Sequence, residues 1–287
     1  MEQVDKVLIV GSKGMAGHVI YHYCKAYTGF NVVDIARNND FHIPTHVLDV
    51  SDFGSLDTVL KLEKPNYVIN CIGVLNQDAE RNPDKAILLN SYLPHFLAKR
   101  GEELGFKLIH ISTDCVFSGK QGGYIESSPL DGEGFYSKTK ALGEVNYGGH
   151  LTIRTSIIGP ELNDNGIGLF HWFMQQKGTI KGYTEAYWTG VTTIELSRAI
   201  VEGINQNISG LHHLVNGEKI NKYDLANLFK AVFKKDAVKI VPYADYKVDK
   251  SLVKTDDTFS YQVPSYEIMV NQMKDWIVQY SSLYKYL

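Results

Sequence analysis

The run Lys6-Val7-Leu8-Ile9-Val10, closed by Gly11, Gly14 and Gly17 and followed by helical sequence from Met15 to Tyr23, constrains the fold more than any other feature. A strand that is apolar on both faces belongs inside a sheet covered by helices on each side. In the turn, Gly11 allows a tight bend, Gly14 lets backbone N–H groups approach a pyrophosphate at the helix N-terminus, and Gly17 lets helix and strand pack closely. Lys13 and Met15 share the turn and join the glycines as candidate cofactor contacts. The spacing is Gly-x-x-Gly-x-x-Gly, and a strand before with a helix after is the context in which such a loop binds a dinucleotide.

The alternation continues. Strands are expected at 30–36, in a short run ending at 47–50, and at 67–71, 107–112 and 151–154, with helices at 55–63, 86–104 and 137–144 between them. Such a succession makes an α/β fold, a Rossmann-like doubly wound parallel sheet that binds ligands at the carboxyl ends of its strands. Beyond Gly159 the pieces become shorter: an amphipathic stretch at 166–176, helices at 192–204 and 222–233, a strand at 211–215 and a helical tail from Tyr266. Residues 1–158 with about 190–215 are therefore expected to form the dinucleotide-binding domain, and about 159–189 with 216–287 a smaller C-terminal α/β substrate lobe. The apolar stripe of the tail, Ile268, Met269, Met273, Trp276, Ile277 and Tyr280, reads as core, with a homodimer contact as the alternative.

A chain of 287 residues, 44% hydrophobic, can bury a sizeable core. Its net charge of -3 gives no electrostatic footprint for nucleic acid or an anionic membrane. No segment has the unbroken apolar length of a membrane span, and the start runs through Glu2 and Asp5 directly into a strand, so a cytoplasmic location is expected. Cys24, Cys71 and Cys115 are scattered, as reduced packing residues are. His212 and His213 lie in an expected strand without a carboxylate-rich pattern, so no metal site is expected.

Chemistry enters with Tyr136 and Lys140. A lysine one helical turn from a phenol is expected to favour the phenolate and give a proton donor or acceptor usable near neutral pH. Cofactor choice is written at the end of the second strand, where NAD-selective sites place an acid for the ribose hydroxyls. Here Asp34 falls too early, and Arg37 follows about 20 residues after the glycine loop. Arg37, with Lys13 near it, suits a 2′-phosphate, so NADPH is expected ahead of NADH.

The segment Ser112-Thr113-Asp114-Cys115-Val116-Phe117-Ser118-Gly119, followed by Tyr136, Lys140 and Gly143-Glu144, resembles the extended short-chain dehydrogenase/reductases and most narrowly the dTDP-4-dehydrorhamnose reductase branch. Asn70-Cys71-Ile72-Gly73, Asn90 and Arg154-Thr155-Ser156 fall in the same order, so the resemblance covers most of the chain. It implies that Thr113 hydrogen-bonds the substrate oxygen, that Tyr136 transfers the proton, and that Lys140 tunes Tyr136 while bonding the nicotinamide ribose. It also implies that Asp49 and Val50 flank the adenine, that Cys71, Ile72 and Gly73 pass beside the cofactor, and that Asn90 organises the sheet edge as a further cofactor contact. Val74, Cys115, Phe117, Ile157 and Trp188 are the further substrate contacts expected, with Tyr183 and Tyr223 as other lobe aromatics. The implied activity is NADPH-dependent reduction of the C4 keto group of a nucleotide-linked 4-keto-6-deoxysugar in surface-polysaccharide biosynthesis. A sugar-nucleotide epimerase and a non-catalytic regulatory subunit of the same fold are the alternatives. Rhamnose-forming relatives often carry an aromatic residue directly after Arg-Thr-Ser, and Ile157 here leaves dTDP-linked and UDP-linked, N-acetylated sugars both open.

Overall fold

Residues 4–286 are described by the computed structural model. The first half runs β1 (Lys6–Val10), α1 (Met15–Tyr27), β2 (Asn31–Ala36), β3 (His46–Val47), α2 (Phe53–Glu63), β4 (Tyr67–Asn70), α3 (Asn76–Arg81), α4 (Pro83–Ala86), α5 (Leu93–Leu104), β5 (Lys107–Thr113), α6 (Gly134–Leu142) and β6 (Leu151–Thr155). The second half continues with β7 (Ile157–Ile158), α7 (Leu169–Gln175), β8 (Gly178–Tyr183), β9 (Ala186–Trp188), β10 (Val191–Thr192), α8 (Thr193–Asn205), β11 (Gly210–His213), β12 (Ile220–Asn221), α9 (Lys222–Val232), β13 (Val238–Tyr243), β14 (Val248–Asp249) and α10 (Tyr266–Gln279).

Among the described residues seven strands form one parallel sheet in the order β11-β6-β5-β4-β1-β2-β3. Successive side chains of a strand point to opposite faces. Val7 and Ile9 therefore enter one core with α1, α8 and α10, while Leu8 and Val10 enter another with α2 and α5. All four are fully buried, at ~1.5–3 kcal/mol of apolar transfer each. The strand order reverses between β1 and β4, and the crevice at that reversal, beyond the carboxyl ends of the strands, is where ligands bind such sheets.

The helix expected over 86–104 is interrupted by a π-helical stretch, Ile87–Tyr92. Pro94 supplies the cause, since its ring clashes with the carbonyl four residues back, that of Asn90, and the wider turn relieves the clash. Gly143 then packs against the Asn90 carbonyl, where any Cβ would overlap it. In the second half, β8 and β13 pair in parallel under α9, and β12-β9-β14 form a three-stranded sheet beside them. Met269, Met273, Trp276 and Ile277 of α10 are spent in the core, and Ile268 is exposed. None of the helices among the described residues is long and apolar enough to cross a membrane.

Candidate active site

A cleft crosses the carboxyl ends of the strands in three joined chambers of about 770, 450 and 340 Å3. The glycine turn opens the first. Gly11 sits at φ +91°, a left-handed conformation that favours glycine, and a Cβ on Gly17 would overlap the Gly11 carbonyl oxygen. Gly14 caps α1 without a side-chain acceptor, which leaves the helix N-terminus open to an anion. Gly11, Lys13, Gly14, Arg37, Asp49, Val50, Cys71, Ile72 and Gly73 all line this chamber. Asp34 does not: it is wholly buried, accepting from Ser12 Oγ (2.6 Å) and the Thr45 amide (2.9 Å) and lying 2.9 Å from His42 Nε2. Lys13 Nζ donates to the Asn38 carbonyl, whereas Arg37 has no ion-pair or hydrogen-bond partner among the described residues and lies at the wall.

Thr113, Tyr136 and Lys140 meet in the middle chamber, together with Met15, Cys115 and Ile157. Thr113 ends β5, and its hydroxyl accepts from the Cys115 amide (3.1 Å), donates to Asp114 Oδ1 (3.2 Å) and lies near the Tyr136 hydroxyl. Lys140 is buried, and Nζ donates to the Ile111 carbonyl at 2.7 Å. Burial depresses its pKa to about 8, against the attraction of Glu144 and Cys71. The expected acidification of Tyr136 is not found. Burial, with Cys115 and Asp114 beside it, pushes the phenol above its ordinary value, and the nearby Thr113 hydroxyl only partly offsets this. Tyr136 is therefore a neutral phenol, the form that donates a proton.

The third chamber shares Asp114, Cys115, Ser156 and Leu169 with the second. Trp188 and Tyr183 line it, with Lys181, Lys222 and Lys250 among them. Lys222 Nζ lies 5.0 Å from the centroid of the Trp188 ring, and burial lowers its pKa to about 8 against the pull of Asp114 and Cys115. Burial likewise pushes the Cys115 thiol up to about 11, which removes it from nucleophilic work.

Four expected contacts stand elsewhere. Phe117 is fully buried, stacked on Tyr124 with centroids 4.2 Å apart and covered by the Arg154 guanidinium, so it lines none of the three chambers. Val74 lines the first chamber and neither of the other two. Asn90 lies behind the wall, where Oδ1 accepts from the Val74 amide (2.7 Å) and Nδ2 donates to the Val74 carbonyl (2.9 Å). Tyr223 backs Gly182 instead of lining the cleft. His212 and His213 are structural, with His213 Nε2 2.9 Å from the Arg154 guanidinium.

Asp114 and the three lysines escaped the sequence reading. Lys222 carried a signal: it opens α9 directly after its cap, Asn221, and a cation at a helix N-terminus opposes the helix dipole. Lys181 and Lys250 carried none, because each sits in a short strand or loop whose place is fixed by partners far along the chain.

The sequence is 25% identical to the spore coat polysaccharide biosynthesis protein SpsK of Bacillus subtilis (strain 168), over 78% of this chain and 77% of that one. It is 31% identical to the dTDP-4-dehydrorhamnose reductase of Salmonella typhimurium over 61% of this chain and 62% of that protein. Among solved structures, the dTDP-4-dehydrorhamnose reductase of Bacillus anthracis str. Ames in complex with NADP superposes with a TM-score of 0.81 at 18% identity, covering 96% of this chain and all of that one. Residues 5–256 match the family described as the RmlD substrate binding domain, a span from β1 to beyond β14, and the chain belongs to that family.

Proposed function

We propose that this chain is an NADPH-dependent reductase of the C4 keto group of a nucleotide-linked 4-keto-6-deoxysugar in surface-polysaccharide biosynthesis. The observation that carries the reading is the convergence of the Thr113 and Tyr136 hydroxyls on the middle chamber, between a glycine-turn chamber and an aromatic, lysine-lined one. The glycine turn, the uncapped N-terminus of α1 and the unpaired Arg37 fit a dinucleotide with a 2′-phosphate. When bound, the nicotinamide supplies the hydride. Thr113 orients the sugar O4 beside Tyr136. As C4 gains its hydrogen, the Tyr136 O–H bond breaks and the proton passes to O4. The phenolate left behind is stabilised by Lys140 in its ammonium form and by the Thr113 hydroxyl, whose single proton turns to it from Asp114 Oδ1. Residues 1–158 and about 190–215 hold the dinucleotide in this reading, and about 159–189 and 216–287 complete the substrate side. There the exposed Tyr183 offers a face to a base, the buried Trp188 backs the wall beneath Lys222, and Lys222 and Lys250 offer positive charge to a diphosphate.

The test is NADPH consumption with a panel of dTDP- and UDP-linked 4-keto-6-deoxysugars, with product identification. Sugar-dependent oxidation of NADPH is expected. Conversion of the sugar with no net loss of NADPH would favour an epimerase, and dinucleotide binding without any turnover a regulatory subunit.

A further inference from the structure

His110 stands behind the catalytic lysine, fully buried in β5, and none of the steps above uses it. Its surroundings fix which way its hydrogen bonds run. The Ile72 amide, which can only donate, lies 3.1 Å from Asn70 Oδ1, so the oxygen of that side-chain amide is settled. Asn70 Nδ2, which also can only donate, then faces His110 Nδ1 at 3.2 Å. Nδ1 must present its lone pair, so the ring proton sits on Nε2. That N–H faces Lys140 Nζ at 3.4 Å. An ammonium has no lone pair to receive it, and an amine does.

We propose that Asn70 and His110 are positioning residues that fix the hydrogen-bond polarity around Lys140 and thereby set the pH above which the reductase loses activity. The wiring runs from the Ile72 amide through Asn70 and His110 to Lys140, and it opposes the ammonium form that the reduction step needs. Burial holds His110 neutral, well below its ordinary pKa, with the Lys140 charge adding to the effect. The other groups around Lys140 do not reverse this polarity. Glu144 is engaged by Arg154 Nε (2.8 Å) and Nη2 (2.6 Å) and by Ser112 Oγ (2.6 Å), the Cys71 thiol is held protonated by burial, and the Ile111 carbonyl takes one Nζ proton. From α3, Glu80 faces the opposite end of α6, where it accepts from the Phe135 amide at 2.7 Å.

The inference rests on the reductase reading for its kinetic arm and not for its spectroscopic arm. Long-range 1H–15N correlation of histidine-labelled protein, with His110→Gln to assign the signal, is expected to show a neutral His110 ring carrying its proton on Nε2. A proton on Nδ1, or a charged ring, would overturn the wiring whether or not any sugar is reduced. In the kinetic arm, Asn70→Asp keeps the size of the side chain and still accepts from the Ile72 amide, but its carboxylate accepts the ring proton at Nδ1. The Nε2 lone pair then faces Lys140. The basic limb of kcat/KM against pH is expected to move up by about one unit, a tenfold change in proton affinity. An unmoved limb would contradict the proposal. Asn70→Asp combined with His110→Gln is expected to lose more than half of that shift; a full shift in the double variant would assign it to through-space charge and remove His110 from the account.

Discussion

The chamber at the glycine turn is walled largely by segments that follow four neighbouring strand ends, those of β4, β1, β2 and β3, whereas the far chamber is walled by side chains from 114–115, 156, 169–173, 181–188, 222–229 and 246–250. In the first, backbone shape does the binding: a left-handed Gly11, a Gly17 with no room for a Cβ and an open helix N-terminus. In the second, recognition falls to long side chains, three of them lysines, brought together by strands of two to six residues. Backbone-built sites tolerate exchange of side chains around them, while a side-chain-built site changes its ligand with each substitution. On the proposed reading the dinucleotide end is therefore generic, and the identity of the sugar nucleotide is written in the other.

The largest expected effect falls at the junction of the two chambers. Tyr136→Phe removes the proton donor and is expected to lower kcat by roughly a hundredfold to ten-thousandfold, while dinucleotide affinity measured by fluorescence titration stays within about twofold. Near-normal turnover in that variant would break the assignment of the middle chamber. Next in size, Lys222→Met keeps the apolar stem and deletes the charge facing Asp114 and Cys115. KM for the sugar nucleotide is expected to rise roughly tenfold to a hundredfold, as loss of a charge-assisted hydrogen bond would give, with NADPH binding unaltered. A rise in the NADPH dissociation constant instead would erase the division between the two ends. Smallest is Arg37→Ala, since the guanidinium is exposed: a few-fold loss of preference for NADPH over NADH is expected from paired kinetics, and it should shrink at high salt. An unchanged preference would place 2′-phosphate recognition elsewhere.

Legibility in the sequence follows the same division. β1 to β6 and the helices α1, α2, α5 and α6 were readable because buried parallel strands are near-continuous apolar runs, and Gly11, Gly14 and Gly17 announce their turn locally, whereas the short α3 and α4 were not read. Asp34 was rightly set aside as lying within the strand, where Ser12, His42 and Thr45 occupy it. By contrast β8, Gly-Thr-Ile-Lys-Gly-Tyr, and β13, Val-Lys-Ile-Val-Pro-Tyr, contain glycine, proline and lysine and find each other about 60 residues apart, so neither reads as a strand alone. Phe117 shows a second limit. Adjacency to Thr113 in sequence does not carry to the cleft, because the chain turns through Asp114–Val116 and sends the ring into a separate small core. The direction of the Tyr136 shift was misread for a physical reason: a lysine one turn away was weighed and desolvation of the phenol was not. The π-helical turn before Pro94 had its signal in plain view, at the proline itself.

The most direct test of the central claim follows a hydrogen. NADPH carrying deuterium on C4 of the nicotinamide, in whichever face proves reactive, is incubated with the sugar nucleotide that supports oxidation, and the product is examined by mass spectrometry and NMR. One deuterium bound to C4 of the product sugar is expected, with loss of the label from the dinucleotide. A product with no deuterium at C4, or label retained by a dinucleotide that ends the reaction still reduced, would contradict a C4 reductase.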